Sequence, residues 1–224
     1  MKKVHKDRGY ISLFLGMGVL ITLLSAACPL EETSEVEEAF ELPLSKTSWV
    51  TGDKGPGGGI IFYEDPDGFQ INGVTYHYLE AAPQDVSKAA PWGLNGTNTR
   101  HTLMTVGQGM VNTAMLVDEF NIETISAAKL CDDYRGGGKS DWYLPSYKEL
   151  DFMYKNLHKN NMGNFSGGYY WSSSEYGHNT ARAQNFMDGF QEQAYLKTSL
   201  NCVRPIRAFS RAVIAPAPAP KHPE

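Results

Sequence analysis

The sequence predicts an α+β domain with two or three helices and a short-stranded, mostly antiparallel sheet. Three observations carry that expectation. A strand pair opens the folded region, helical spacing fills its middle, and short strands between Gly and Asn turns close it. Strands and helices segregated along a chain mark α+β architecture.

The elements follow in order. "GDKGPGGG" is turn chemistry, and "IIFY" behind it has the β-branched and aromatic character of a strand. "DPDG" reads as a turn, and the alternating "VTYHYLEAAP" as the returning strand of a hairpin. Met110, Ala114 and Val117, and further on Ile122, Ile125, Ala128 and Leu130, recur at helical spacing. They predict one helix near 108–120 and another near 123–134. "SYKELDFMYKNLHKN" predicts a third. Ser146 caps it, Glu149 completes a capping box, and Leu150, Met153, Tyr154 and Leu157 form its apolar face. The closing strands are "YYWSSS", "TARAQNFM", "QEQAYLKT" and "CVRPIRAF", with turns at 177–179 and 188–189. In the first of them Tyr170 and Ser172 share one face, and Tyr169, Trp171 and Ser173 the other. The serines are expected to bond neighbouring backbone.

The ends of the chain have another character. Residues 1–27 join a basic head to the uncharged apolar run "YISLFLGMGVLITLLSAA", the pattern of a secretory signal. "LLSAAC" resembles a bacterial lipobox, which makes Cys28 the expected lipidation site; an uncleaved membrane anchor is the alternative. Residues 28–48, with six glutamates, read as the lipidated cysteine and an acidic flexible tether. Residues 49–209 are the folded domain. Residues 210–224 form an Ala/Pro-rich tail of polyproline II character. The expected location is the cell envelope, lipid-anchored at the outer membrane or cell surface, with the membrane as a partner through the lipid.

The formal net charge is −5, and it becomes more negative once the basic head is removed. Nonspecific nucleic-acid binding needs a cationic surface, so no nucleic-acid partner is expected. "GGGKS" at 136–140 ends like a phosphate loop, but Asp133 stands where the first glycine belongs and no helix follows. "GPGGG" at 55–59 misplaces the third glycine of a dinucleotide loop. Ser172, Ser173 and Ser174 lie outside any GxSxG setting. No histidines pair at metal-ligand spacing, and the acidic pairs 65/67 and 132/133 lack the calcium-loop series. The expectation is a non-enzyme without a cofactor, its metal requirement open. Cys131 and Cys202 either pair as a disulfide in an oxidising compartment or stay as buried thiols. Trp142 and Trp171 are expected in the core. Arg204 and Arg207, among apolar residues like Asp141, are either a ligand site or structural ion pairs; the second is preferred.

Six blocks carry a resemblance: "GDKGPGGGIIFY", "YLEAAPQD", "AAKLCDDYRGGGKSDWYLPSYKEL", "FSGGYYWSSSEY", "NF" with its "DG" turn, and "VRPIRAF". In this order, from about Trp49 to Phe209, they resemble the Lcl C-terminal domain family, named after a bacterial collagen-like adhesin. The resemblance implies a C-type-lectin-like fold, related to the formylglycine-generating-enzyme-like group. It also implies surface display and binding of a glycan or an extracellular protein. The EPN, QPD and WND triplets of calcium-dependent lectins are missing, as is the collagen-like repeat. The function expected is a lipid-anchored envelope protein displaying a lectin-like binding or adhesion domain. The alternative is a structural envelope protein working through protein contacts alone. Tyr176, His178, Asn179, Arg182 and Gln184, in a loop and the strand after it, are the candidate ligand-binding residues.

Overall fold

The computed structural model describes residues 48–99, 102–118 and 125–211. The signal, Cys28, nearly all of the tether and the tail beyond Arg211 lie outside these residues.

β1 (Ile60–Ile71) and β2 (Val74–Ala81) form the opening hairpin. Its turn is Asn72–Gly73, with φ of 50° and 80°. A two-residue hairpin turn of type I′ needs positive φ at both positions, and Asn-Gly supplies it. The turn expected at "DPDG" is therefore misplaced. That segment is a register break inside β1, between Glu64 and Phe69. There the Asp65 carboxylate accepts from the N–H groups of Asp67 and Gly68, both at 3.1 Å, so the irregularity satisfies itself locally.

β2 pairs onward with β8 (Ile206–Phe209), completing a three-stranded sheet. A second sheet has the order β3 (Ser87–Ala90), β7 (Asn201–Val203), β4 (Tyr169–Gly177), β5 (Thr180–Asn185) and β6 (Gln191–Leu196). Pairing is antiparallel except between β4 and β7. "CVRPIRAF", expected as one strand, is thus split between two sheets. Pro205 has no N–H to give a ladder. Arg204, beside it, donates to the Asp85 carboxylate (2.7 Å) and to the carbonyls of Ala82 (2.9 Å) and Gly163 (2.8 Å).

The helices are α1 (Gln108–Asp118), α2 (Ala127–Asp132) and α3 (Tyr147–Asn156). α2 is shorter than expected. Ser126 caps it, accepting from the Lys129 N–H, and Ile125 precedes the cap and is 70 % exposed rather than part of an apolar face. α3 has both halves of its capping box: Glu149 N–H donates to Ser146 Oγ, and Ser146 N–H donates to Glu149 Oε2.

β4 runs between two cores. Successive strand residues point to opposite faces. Tyr170 therefore joins Phe62, Leu79, Met153 and Phe186, while Trp171 joins Trp92, Leu116, Ala128 and Val203. Cys202 belongs to the first cluster and Cys131 to the second. Both are buried free thiols, so the disulfide alternative does not hold here.

The two glycine loops meet. Gly57 N–H donates to both oxygens of Glu80 at 3.0 Å, and Gly59 N–H donates to Oε1 at 2.6 Å. Arg207 Nη1 reaches Glu80 Oε2 at 3.1 Å, while its Nε and Nη2 bond Asp141 at 2.8 and 2.7 Å. Gly137, at φ 61°, comes so close that a Cβ there would lie 2.0 Å from the Gly57 carbonyl oxygen. The N–H groups that could cradle a phosphate hold an internal carboxylate instead. Arg204 and Arg207 both serve structural ion pairs.

Glu149 yields a pH prediction. Burial pushes its carboxyl up to about 7 from 4.5, against the opposing pull of N–H donors from Ser146 and Gly107. A carboxyl raised on folding contributes stability that is complete below its unfolded value and lost as pH rises through the folded one. The unfolding free energy from urea denaturation should accordingly fall between about pH 4.5 and 7, by on the order of 3 kcal/mol from this group. Glu149→Gln should flatten that slope; an unchanged slope would assign it elsewhere.

Candidate functional site

A cavity of about 460 Å³ opens where the start of α3 faces the β5–β6 hairpin. Met104 and Thr105 line it from the loop before α1, and Tyr147, Lys148 and Asp151 line it from α3. Arg182 comes from β5, and Gln191 and Gln193 from β6, two residues apart and so on one face of the strand.

The serines of β4 place these walls. Ser172 Oγ donates to the Arg182 carbonyl at 2.8 Å. Ser173 N–H donates to the Pro145 carbonyl at 2.7 Å, and Ser174 Oγ accepts from Tyr147 N–H at 3.1 Å. Ser174 Oγ also donates to the Leu103 carbonyl at 2.8 Å. Asn112 of α1 clasps Leu103 from both sides, accepting from its N–H (2.9 Å) and donating to its carbonyl (2.7 Å). The backbone bonding expected of the triplet is present, and it fixes the 103–105 loop and the first residue of α3.

Arg182 is the centre of the cavity's chemistry. Its guanidinium carbon lies over the Tyr147 ring at 5.3 Å and over the Tyr176 ring at 5.1 Å. Its Nε is buried without an acceptor. Asp151 accepts from Lys155 at 2.7 Å and from Gln184 at 3.2 Å, with Lys148 Nζ 3.9 Å away. Burial raises the Tyr147 phenol above its ordinary value; Arg182 opposes this, and Glu192 and Asp151 reinforce it.

The structure brings together some of the expected residues and separates others. Arg182 lines the cavity, and the exposed Tyr176 supports it. His178 and Asn179 form the exposed β4–β5 turn. Their carbonyls accept from the N–H groups of Gly96 (3.0 Å) and Lys197 (2.9 Å), which holds a neighbouring loop rather than the cavity. Gln184 corrects the sequence reading. It is 1 % exposed and bonds Asp151 and the Gly189 carbonyl, so it is a support and not a contact surface. Trp142 and Trp171 are buried as expected, donating from Nε1 to the carbonyls of Gly136 (3.0 Å) and Ala90 (2.9 Å). Sequence reasoning missed Tyr147, Lys148, Asp151 and the two β6 glutamines. The polar face of "SYKELD" was a usable signal, since positions i and i+4 of a helix share one face.

Among the described residues, no group of three or more His, Cys, Asp or Glu side chains is arranged to hold a metal. No described helix is long and apolar enough to cross a membrane.

No family model matches the chain, and no curated protein matches it. Among solved structures, a fimbrial protein from Bacteroides ovatus ATCC 8483 aligns at 15 % identity with a TM-score of 0.43. The alignment covers 69 % of this chain and 45 % of that one, so the chain spans less than half that protein's length.

Proposed function

We propose that this is a lipid-anchored envelope protein whose C-type-lectin-like domain binds a ligand in the Arg182 cavity. The observation that carries this reading is the cavity's lining: one tyrosine, two glutamines, a threonine, a methionine, Lys148 and Asp151 gathered around Arg182 on one concave surface, with Tyr176 backing the arginine. Concave sites with a few convergent polar groups on an apolar wall are the usual form of small-ligand sites. Among the described residues it has no catalytic constellation beside it, and the reading is of a binder rather than an enzyme. The signal, the lipobox-like "LLSAAC" and the acidic tether support display from a membrane. The family resemblance supports a glycan or a surface protein as the target.

The test is an array of glycans and matrix proteins, with and without calcium. Tyr147→Ala should weaken any hit by ten-fold or more while leaving the fold intact by circular dichroism. Hits that survive this change with full affinity would place binding elsewhere. For the anchor, Cys28→Ser should move the protein from the membrane to the soluble fraction. Retention of that variant with the apolar run still attached would support an uncleaved anchor instead.

One observation favours the alternative of a contact protein. β6 ends its sheet, and Met187, Phe190 and Leu196 beside it are 76, 57 and 58 % exposed. An open edge with apolar neighbours can pair with another chain. Crosslinking in cells that captured only abundant envelope proteins, together with an empty array, would favour it.

A further inference from the structure

We propose that the cavity's ligand carries a carboxylate and that Arg182 receives it; this rests on the binding-domain reading above. The Arg182 charge has no partner among the described residues. Buried basic groups elsewhere in the domain each meet an acid: Lys197 meets Glu175, Arg204 meets Asp85, and Arg207 meets Glu80 and Asp141. The guanidinium of the half-buried Arg182 forms no hydrogen bond and no ion pair among the described residues, and its Nε is left unmatched. It is held by two aromatic rings instead. Rings position a guanidinium by attraction to its charge, but they bring no opposite charge of their own.

The nearby acids do not fill the role. Asp151 is 6 % exposed on its side chain and already accepts from Lys155 and Gln184, with Lys148 beside it. Glu192 of β6 accepts from its own neighbour Ala194 N–H at 3.1 Å. Among the remaining cavity groups Lys148 already lies 3.9 Å from Asp151 and over the Phe152 ring, and Thr105, Tyr147, Gln191 and Gln193 are hydroxyls and amides. The hydroxyls and amides suit the neutral remainder of a ligand, since each both donates and accepts. The ligand's anionic group therefore belongs at Arg182.

The shape of that group follows from the guanidinium. It is a flat fork whose N–H pairs match two coplanar oxygens at a carboxylate's spacing. A sulfate ester can offer the fork a similar pair of oxygens and the same charge, with a third oxygen out of that plane, so a sulfated probe is set against the carboxylate below. A phosphate ester brings up to two negative charges, and the cavity's other cation, Lys148, already lies 3.9 Å from Asp151. A cavity of about 460 Å³ accommodates a group the size of one sugar acid or a peptide's last residue or two.

The experiment uses the purified full-length protein in detergent and titrates probes in carboxylate and neutral pairs by ligand-observed NMR. Glucuronate is set against glucose and glucose 6-sulfate, and an acetylated tri-alanine free acid against its amide. The two pairs separate a sugar source from a peptide source. One carboxylate probe should bind at least ten-fold tighter than its neutral partner, with affinity falling as salt rises. Arg182→Gln should remove that preference. Arg182→Lys should retain part of it. Tyr176→Leu, at an exposed position where folding is not at stake, should weaken it several-fold. The proposal is overturned if neither carboxylate binds, if neutral partners or the sulfate bind equally well, or if folded Arg182→Gln keeps the preference. A neutral glycan whose binding is lost in Tyr147→Ala but kept in Arg182→Gln would preserve the binding site and remove the carboxylate.

Discussion

Arg204→Ala should lower the unfolding free energy by about 3–5 kcal/mol, the typical cost of leaving one member of a buried ion pair alone. Arg204 is fully buried, and its partner Asp85 has a side chain only 3 % exposed. The same guanidinium donates to the carbonyls of Ala82, Gly163 and Asn164 and lies 4.1 Å from the centre of the Phe165 ring. It therefore ties two chain segments, 82–85 and 163–165, to the joint between β7 and β8. Asp85 also accepts from Tyr170 Oη at 3.0 Å, so the loss spreads to β4. Lysine at 204 should recover only part of the stability, because a point charge cannot serve a carboxylate and several carbonyls at once. Urea denaturation of the three proteins measures this. A loss under about 1 kcal/mol, the usual worth of an exposed pair, would contradict the buried network.

Glu80→Ala should cost a similar amount, about 3–5 kcal/mol, and for a second reason as well. It leaves Arg207 with the half-exposed Asp141 as its one acid partner and also unpairs the N–H groups of Gly57 and Gly59 inside the domain. Asp141→Ala, at the other end of the same arginine, should cost less, since its side chain is 44 % exposed. Burial alone would raise the Asp141 carboxyl, but bonding to Arg207 and its charge overcome this and leave it below its ordinary value. Its contribution is thus present above the unfolded value and lost as pH falls through the folded one. Comparing both variants at neutral and acid pH separates the two ends of the bridge. Equal losses at neutral pH would mean that the glycine N–H groups find other acceptors.

Local chemistry was legible in the sequence, and assembly was not. The capping box of α3 needs only Ser146 and Glu149 at fixed spacing, and it formed as written. "DPDG" and "NG" are both turn signals within one hairpin. The choice between them depended on register, which the pairing of Ile71 with Val74 decides. Pro205 signalled a break in the last strand, but nothing near it indicated that its halves enter different sheets. At the site, Arg182 and Tyr176 were found because they stand next to a recognisable turn. Tyr147 and Gln191 were not, because only the fold brings α3 and β6 to them. Gln184 was misjudged for a related reason. Alternation along β5 was visible, but the helix covering that face was not.

The serine triplet has a consequence for how this domain can change. Ser172, Ser173 and Ser174 hold the cavity walls through main-chain atoms of Arg182, Pro145, Tyr147 and Leu103. Main-chain atoms are the same whatever side chain they carry. The outward residues at 103–105 and the ring at 147 can therefore be exchanged without disturbing the anchoring that positions them. Cavity lining and framework are separately mutable here: a chain with the same serines can carry a different lining while keeping one architecture.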